Sequence, residues 1–279
     1  MSYKSLLTVV IGPTPESGPL EAAIHLARRE DAHLDVLCLG IDVTDLSYIA
    51  GGPIVTVDRL SQERAQSDAE AAETIVQTRL GSEDIRWATE RAAVLTMSAG
   101  ALVAQRARFA DLVILGRPYS EAAVPAAEAI AESAMFSARA PVLIVPDKGL
   151  DPTFSERIVV AWNDGDEALA AVRAAMPLLK RARLVNIASV DPGPRSAERS
   201  DPGGALSQML ARHGVHSEVS VLARTLPKIS DVLVRHALDE SAGLIVMGAY
   251  GHSRLREAIL GGATRDMLEN TEVPVLMAR

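Results

Sequence analysis

The stretch GAYGHSRLREAILGGAT, residues 248–264, gathers four of the chain's 19 glycines, together with His252, Ser253, Arg254 and Arg256, around one acid, Glu257. It follows the apolar run Gly243-Leu244-Ile245-Val246-Met247, which reads as a buried strand, and leads into a helix-like segment. Glycine after a strand permits a positive φ and lets a ligand approach the backbone closely. Glycines at a helix start leave unpaired N–H groups at the positive end of the macrodipole, an arrangement that holds phosphate. Gly248, Gly251, Gly261 and Gly262 fit this chemistry, Ala263 adds a backbone N–H, and Thr264 can add a hydroxyl. Taken singly, each glycine has a plainer explanation as a turn or helix breaker; as an ordered set they point to an anionic ligand.

The rest of the chain offers little competing chemistry. The histidines His213 and His216 stand close together, but without neighbouring cysteines or paired carboxylates to complete a metal site. Cys38 lies inside an apolar strand, as an inert thiol would. Neither a G-x-S-x-G elbow nor a Walker lysine is present. Trp162 reads as packing, and the charged segment 61–74 as the solvated face of a helix.

These residues must be positioned by a repeated frame. DLVILG (111–116) and GLIVMG (243–248) are followed at matching distance by APVLIVP (140–146) and VPVLMAR (273–279), and LLTVVIG (6–12) matches RIVVAWN (157–163). Each half alternates five short buried strands with helices. Strands are expected near 6–11, 34–40, 85–89, 111–116 and 142–146, then 157–162, 183–190, 216–222, 243–248 and 274–278. Helices are expected near 17–30, 59–80, 97–109 and 122–138, then 166–181, 203–213, 228–240 and 255–270. Such alternation specifies an α/β fold of two tandem doubly wound domains, each a five-stranded parallel sheet flanked by helices. Ligands then sit beyond the carboxyl ends of the strands. Residues 148–156 form the expected linker, so the domains are read as 1–150 and 151–279.

Composition bounds the function. A net charge of −8 argues against nucleic-acid binding. Residues 1–150 carry 13 basic and 20 acidic side chains and residues 151–279 carry 15 and 16, so the second half better tolerates an anion. The longest apolar runs are far shorter than a membrane span. A single cysteine agrees with a cytoplasmic location.

At this point the chain resembles the universal stress protein family in its tandem two-domain form, with the adenine nucleotide alpha hydrolase-like fold. Nucleotide-binding members carry spacing of the G-x2-G-x9-G-x-[ST] type after the fourth strand; Gly248, Gly251 and Gly261 supply its glycines, and Thr264, one position further on, supplies the hydroxyl. The resemblance implies ATP or a related adenine nucleotide, with or without Mg2+, held by the second domain. Backbone atoms of Gly251, His252, Ser253 and Arg254, with Gly261 to Thr264, would hold ribose and phosphates. The stretch VAWNDG (160–165) aligns with the family's VAVDGS, placing Ala161 and Asn163 at the nucleoside, while backbone near Val190 would hold adenine. The family also implies a stress-response sensor or regulator, a possible homodimer and an unidentified protein partner.

Two departures stand out. Asn163 replaces the family's Asp, losing a charge and gaining a donor, and Gly262 stands where a serine is expected. In the first half, Gly116 survives, but Glu128, Ala129 and Ala131 stand opposite Gly261, Gly262 and Thr264. A carboxylate at a helix start repels phosphate, so that half is not expected to bind ATP in the family manner. Two other readings stay open: an interaction module whose nucleotide site has decayed, and a slow ATP hydrolase.

Overall fold

The structure is a computed structural model that describes residues 2–15, 17–43, 54–119, 124, 126–192, 201–249 and 263–279. The chain divides into two compact units, Tyr3–Ala140 and Pro141–Arg279.

The first unit contains β1 (Ser5–Ile11), α1 (Ser17–Glu30), β2 (His33–Asp42), α2 (Ile54–Leu80), β3 (Arg86–Leu95), α3 (Thr96–Ala107), β4 (Leu112–Gly116) and α4 (Ala127–Phe136). Its strands lie in the order β3-β2-β1-β4, and each neighbouring pair is parallel. The second unit contains β5 (Val142–Val145), β6 (Arg157–Ala161), α5 (Asp166–Leu179), β7 (Leu184–Val190), α6 (Gly204–Arg212), β8 (Ser217–Leu222), α7 (Ile229–Asp239), β9 (Leu244–Gly248), α8 (Ala263–Asn270) and β10 (Val275–Ala278). Its order is β5-β10-β9-β6-β7-β8. The two units therefore have the α/β doubly wound arrangement that the alternation of elements specifies.

The ladders fix which positions of the two halves correspond. Leu6 pairs with Leu34 and Leu112 in the first unit, and Ile158 pairs with Val185 and Leu244 in the second. In both, the first strand lies between the second and the fourth. The switch point, where consecutive crossovers leave in opposite directions, lies between β1 and β4 and between β6 and β9.

Three departures from the sequence-based expectation have physical causes. β3 runs to Leu95, well beyond 89, although Glu90 and Arg91 interrupt its apolar pattern. It is an edge strand, where charged side chains are tolerated: Arg106 donates to Glu90 at 2.7 and 2.5 Å, and Arg91 to Glu70 at 2.9 Å. β5 has a partner that the sequence reading did not foresee. It pairs antiparallel with β10, matching Ile144 to Val275 and Met277 to Val142, and is grouped with the second unit. Finally, the expected linker is partly core: Phe154 is 1% exposed, and a Cβ on Gly243 would lie 2.5 Å from its carbonyl oxygen.

Cys38 is completely buried in β2, and burial pushes its thiol up to about 12. Native protein at pH 8 is therefore expected to react with a thiol reagent orders of magnitude more slowly than unfolded chain. Equal labelling rates with and without denaturant would contradict that placement.

Candidate functional site

At the second unit's switch point, Ala161 at the end of β6 pairs with Met247, and Gly248 pairs with Ala278 of β10. Just past β6, the Trp162 N–H donates to the Ala188 carbonyl at 2.9 Å, and the Ser189 hydroxyl donates to the Trp162 carbonyl at 3.1 Å. Trp162 is 8% exposed, so it packs against the fold and offers no open face for stacking. The chain then turns sharply into α5: Asn163 is exposed, Asp164 has a φ of 58°, and Gly165 is an extended N-cap residue.

Asn163 closes this turn. Its Oδ1 accepts the Gly165 N–H at 3.1 Å, a local Asx-type bond that fixes the side chain's orientation. An N–H requires an acceptor, so the amide nitrogen is the atom turned elsewhere. In place of a carboxylate oxygen, Asn163 thus presents N–H donors that suit a hydroxyl oxygen or ring nitrogen.

Gly248 has a role the sequence did not suggest. It lies in a strand and is absent from the glycines with positive φ among the described residues. A Cβ there would fall 2.6 Å from the Ala168 nitrogen and 2.7 Å from the Glu167 carbonyl carbon, both in the first turn of α5. Its hydrogen side chain lets that turn close on β9, and this packing, not a positive φ, explains the glycine. Val190 ends β7, half-buried and paired with Leu222. Ala161, Asn163, Val190 and Gly248 therefore all lie at the carboxyl ends of the strands.

At the start of α8, Ala263 is half-buried and Thr264 is 4% exposed. The hydroxyl read as a donor to the ligand thus belongs to a buried side chain. Asp266, in the first turn, accepts Lys228 Nζ at 2.6 Å, and this bond raises the lysine's pKa. The sequence reading missed this pair because its members lie 38 residues apart. Lys228 offsets a carboxylate that would otherwise oppose an anion at this helix end. Gly251, His252, Ser253, Arg254, Gly261 and Gly262 lie outside the described residues. Among the described residues, no group of three or more histidine, cysteine or acidic side chains is placed to hold a metal ion.

The first unit shows the same frame with different chemistry. A cavity of about 100 Å³ lies between the ends of β1 and β4, and of the described side chains lining it only Thr14 and Arg117 are polar. It is smaller than the ~300 Å³ at which pockets for drug-sized ligands begin. Glu128 occupies the first turn of α4 and accepts the Tyr119 hydroxyl at 2.9 Å.

The sequence model of the universal stress protein family matches residues 155–279. Universal stress protein Slr1230 of Synechocystis sp. strain PCC 6803 is 34% identical over 76 residues, covering 27% of this chain and only 25% of the relative. A universal stress protein structure from Archaeoglobus fulgidus DSM 4304 is 15% identical, with a TM-score of 0.70, and covers 98% of this chain and 96% of its own. A functionally unknown protein from Pseudomonas aeruginosa PAO1 is 18% identical, with a TM-score of 0.61, and the match covers 99% of this chain and 92% of that one. The structural likenesses establish the fold over both halves, and the family match covers the second. The second of the chain's two α/β units thus carries a universal stress protein family domain, at residues 155–279.

Proposed function

We propose that the second half binds ATP or a related adenine nucleotide, and that the chain acts in the cytoplasm as a nucleotide-responsive stress regulator without enzymatic turnover. The observation that carries this reading is the chain's internal comparison. Both units build the same switch point, and both keep a glycine at the end of the fourth strand, Gly116 and Gly248. Only the second adds Gly251, Gly261 and Gly262. A fold that forms without those later glycines does not need them, which leaves ligand contact as their use.

In this reading the nucleoside lies over the ends of β6 and β7, against Ala161, Asn163 and Val190, with Asn163 donating where the family's Asp accepts. The phosphates lie along residues 248–264, where glycine allows backbone N–H groups to approach them. Lys228 neutralises Asp266 at the start of α8, and Mg2+ bound with the nucleotide would neutralise phosphate charge. Bound nucleotide would alter a surface read by a partner protein or a second copy of the chain. No residue is assigned a proton-transfer role.

Mass spectrometry of small molecules released from freshly purified protein is expected to find an adenine nucleotide in stoichiometric amount. The variant Gly261→Glu copies the first half and places a carboxylate against phosphate, where like charge costs several kcal/mol. ATP affinity is expected to fall on the order of a hundredfold. Parental affinity in that variant would refute the phosphate site, and steady ADP production with Mg2+ would favour the hydrolase reading.

A further inference from the structure

The first unit carries a second concavity, away from the strand ends just described. It opens on the α3 face of the sheet and has a volume of about 360 Å³. Its floor is Leu7, Asp35 and Ala88, which stand in one row of the ladders. One wall is the ion pair in which Arg106 donates twice to Glu90, and Phe109, 79% exposed, stands at the rim. The carboxylate of Asp35 is half-exposed, with Oδ1 3.3 Å from His33 Nε2.

The corresponding place in the second unit shows what this concavity is shaped to hold. The ladders equate Ser5 with Arg157, Leu7 with Val159 and Asp35 with Asn186. There the lining residues leave no room for a water molecule. The long side chain of Arg157 runs to Glu240, reaching its carboxylate at 2.9 Å, with the guanidinium Nε buried. His236 closes the rest by meeting Asn186 Oδ1 at 2.9 Å, while Asn186 donates to the Ser220 hydroxyl at 2.9 Å. In the first unit, Ser5 and Ala104 replace the guanidinium and the imidazole, and a carboxylate replaces the amide. One repeat supplies its own cation; the other has the space and a negative charge.

We propose that this concavity binds a small guanidinium compound, with the cation on Asp35 and the apolar stem lying over Leu7 toward Phe109. A guanidinium matches a carboxylate in plane, and the exposed ring of Phe109 at the other end offers an apolar face to the stem. The Glu90–Arg106 pair keeps its own charges satisfied and acts as a fixed wall. The site is independent of the nucleotide reading, since it uses neither the switch point nor residues 248–264.

Calorimetric titration of the full-length protein with agmatine tests this. Saturable binding at one site per chain is expected. Asp35→Asn should weaken it about tenfold or more, the worth of a hydrogen bond to a charged group. Arg108 stands four residues before β4, as Glu240 does before β9, so Ser5→Arg combined with Arg108→Glu rebuilds the second unit's pair beside the concavity and should abolish binding while the thermal midpoint stays near that of the parent. Putrescine, with ammonium groups in place of guanidinium, should bind more weakly. The proposal fails if agmatine does not saturate, if Asp35→Asn binds it as well as the parent, or if putrescine binds equally. It also fails if an arginine-containing tetrapeptide binds more tightly than agmatine, which would make the occupant a protein.

Discussion

Replacing Phe154 with alanine is expected to destabilise the second unit by about 3–5 kcal/mol, the range for removing a buried aromatic ring. The residue sits in the segment joining the repeats, where a substitution would ordinarily have little effect. Its 1% exposure and the close approach of Gly243 to its backbone place it in the core instead. The loss includes both the transfer energy of the ring and the cavity left behind, because the Gly243 backbone has no side chain to fill the gap. Urea unfolding of the variant checks this. A midpoint within error of the parent's would mean that residues 148–156 act as a tether and that the ring contributes nothing.

Gly248→Val is the second large effect, and its value lies in contrast. The new Cβ would stand 2.6 Å from the Ala168 nitrogen and 2.7 Å from the Glu167 carbonyl carbon. Those are backbone atoms, so no side chain can swing aside and the first turn of α5 must move. Overpacking of this kind costs about 1–3 kcal/mol and occasionally more, and two γ-methyl groups place this variant at the upper end. The displaced turn also carries the Asn163–Gly165 bond, so nucleotide affinity should fall as a secondary result. Gly261→Glu is expected to show the reverse, near-parental stability with lost affinity. Measuring both quantities on both variants separates a glycine kept for packing from one kept for a ligand. Unchanged stability in Gly248→Val would contradict the packing account.

The sequence shows clearly those features that depend on local pattern. Short runs such as Leu112 to Leu115 and Leu244 to Met247, bounded by glycine, locate the central strands because burial on both faces demands continuous apolar residues. Edge strand β3 is less legible: Glu90 and Arg91 find partners on α3 and α2, and those partners are distant in the chain. The pairing of β5 with β10 has no local signature, since Val142 to Val145 reads the same whatever strand lies beside it. At the candidate site the order of glycines is visible, but the reasons differ. Gly248 is explained by a helix turn 80 residues earlier in the chain, and no spacing rule distinguishes that from a ligand contact. Lys228 escaped notice because its partner Asp266 is reached only through the fold. The first unit's concavity has no local signature either, because its lining residues on β1, β2, β3 and α3 are brought together only by the fold.

The antiparallel match of Val142 to Met277 and Ile144 to Val275 also bears on synthesis. β5 leaves the ribosome more than 130 residues before β10. At ordinary rates of elongation that interval is on the order of ten seconds. Throughout it, the backbone edge of an apolar strand lacks the neighbour it has in the finished protein, and such edges recruit other strands. The interval before β10 emerges is therefore when a nascent chain is most exposed to chaperone capture or to pairing with another copy, and slowing translation between β5 and β10 should lower the soluble yield.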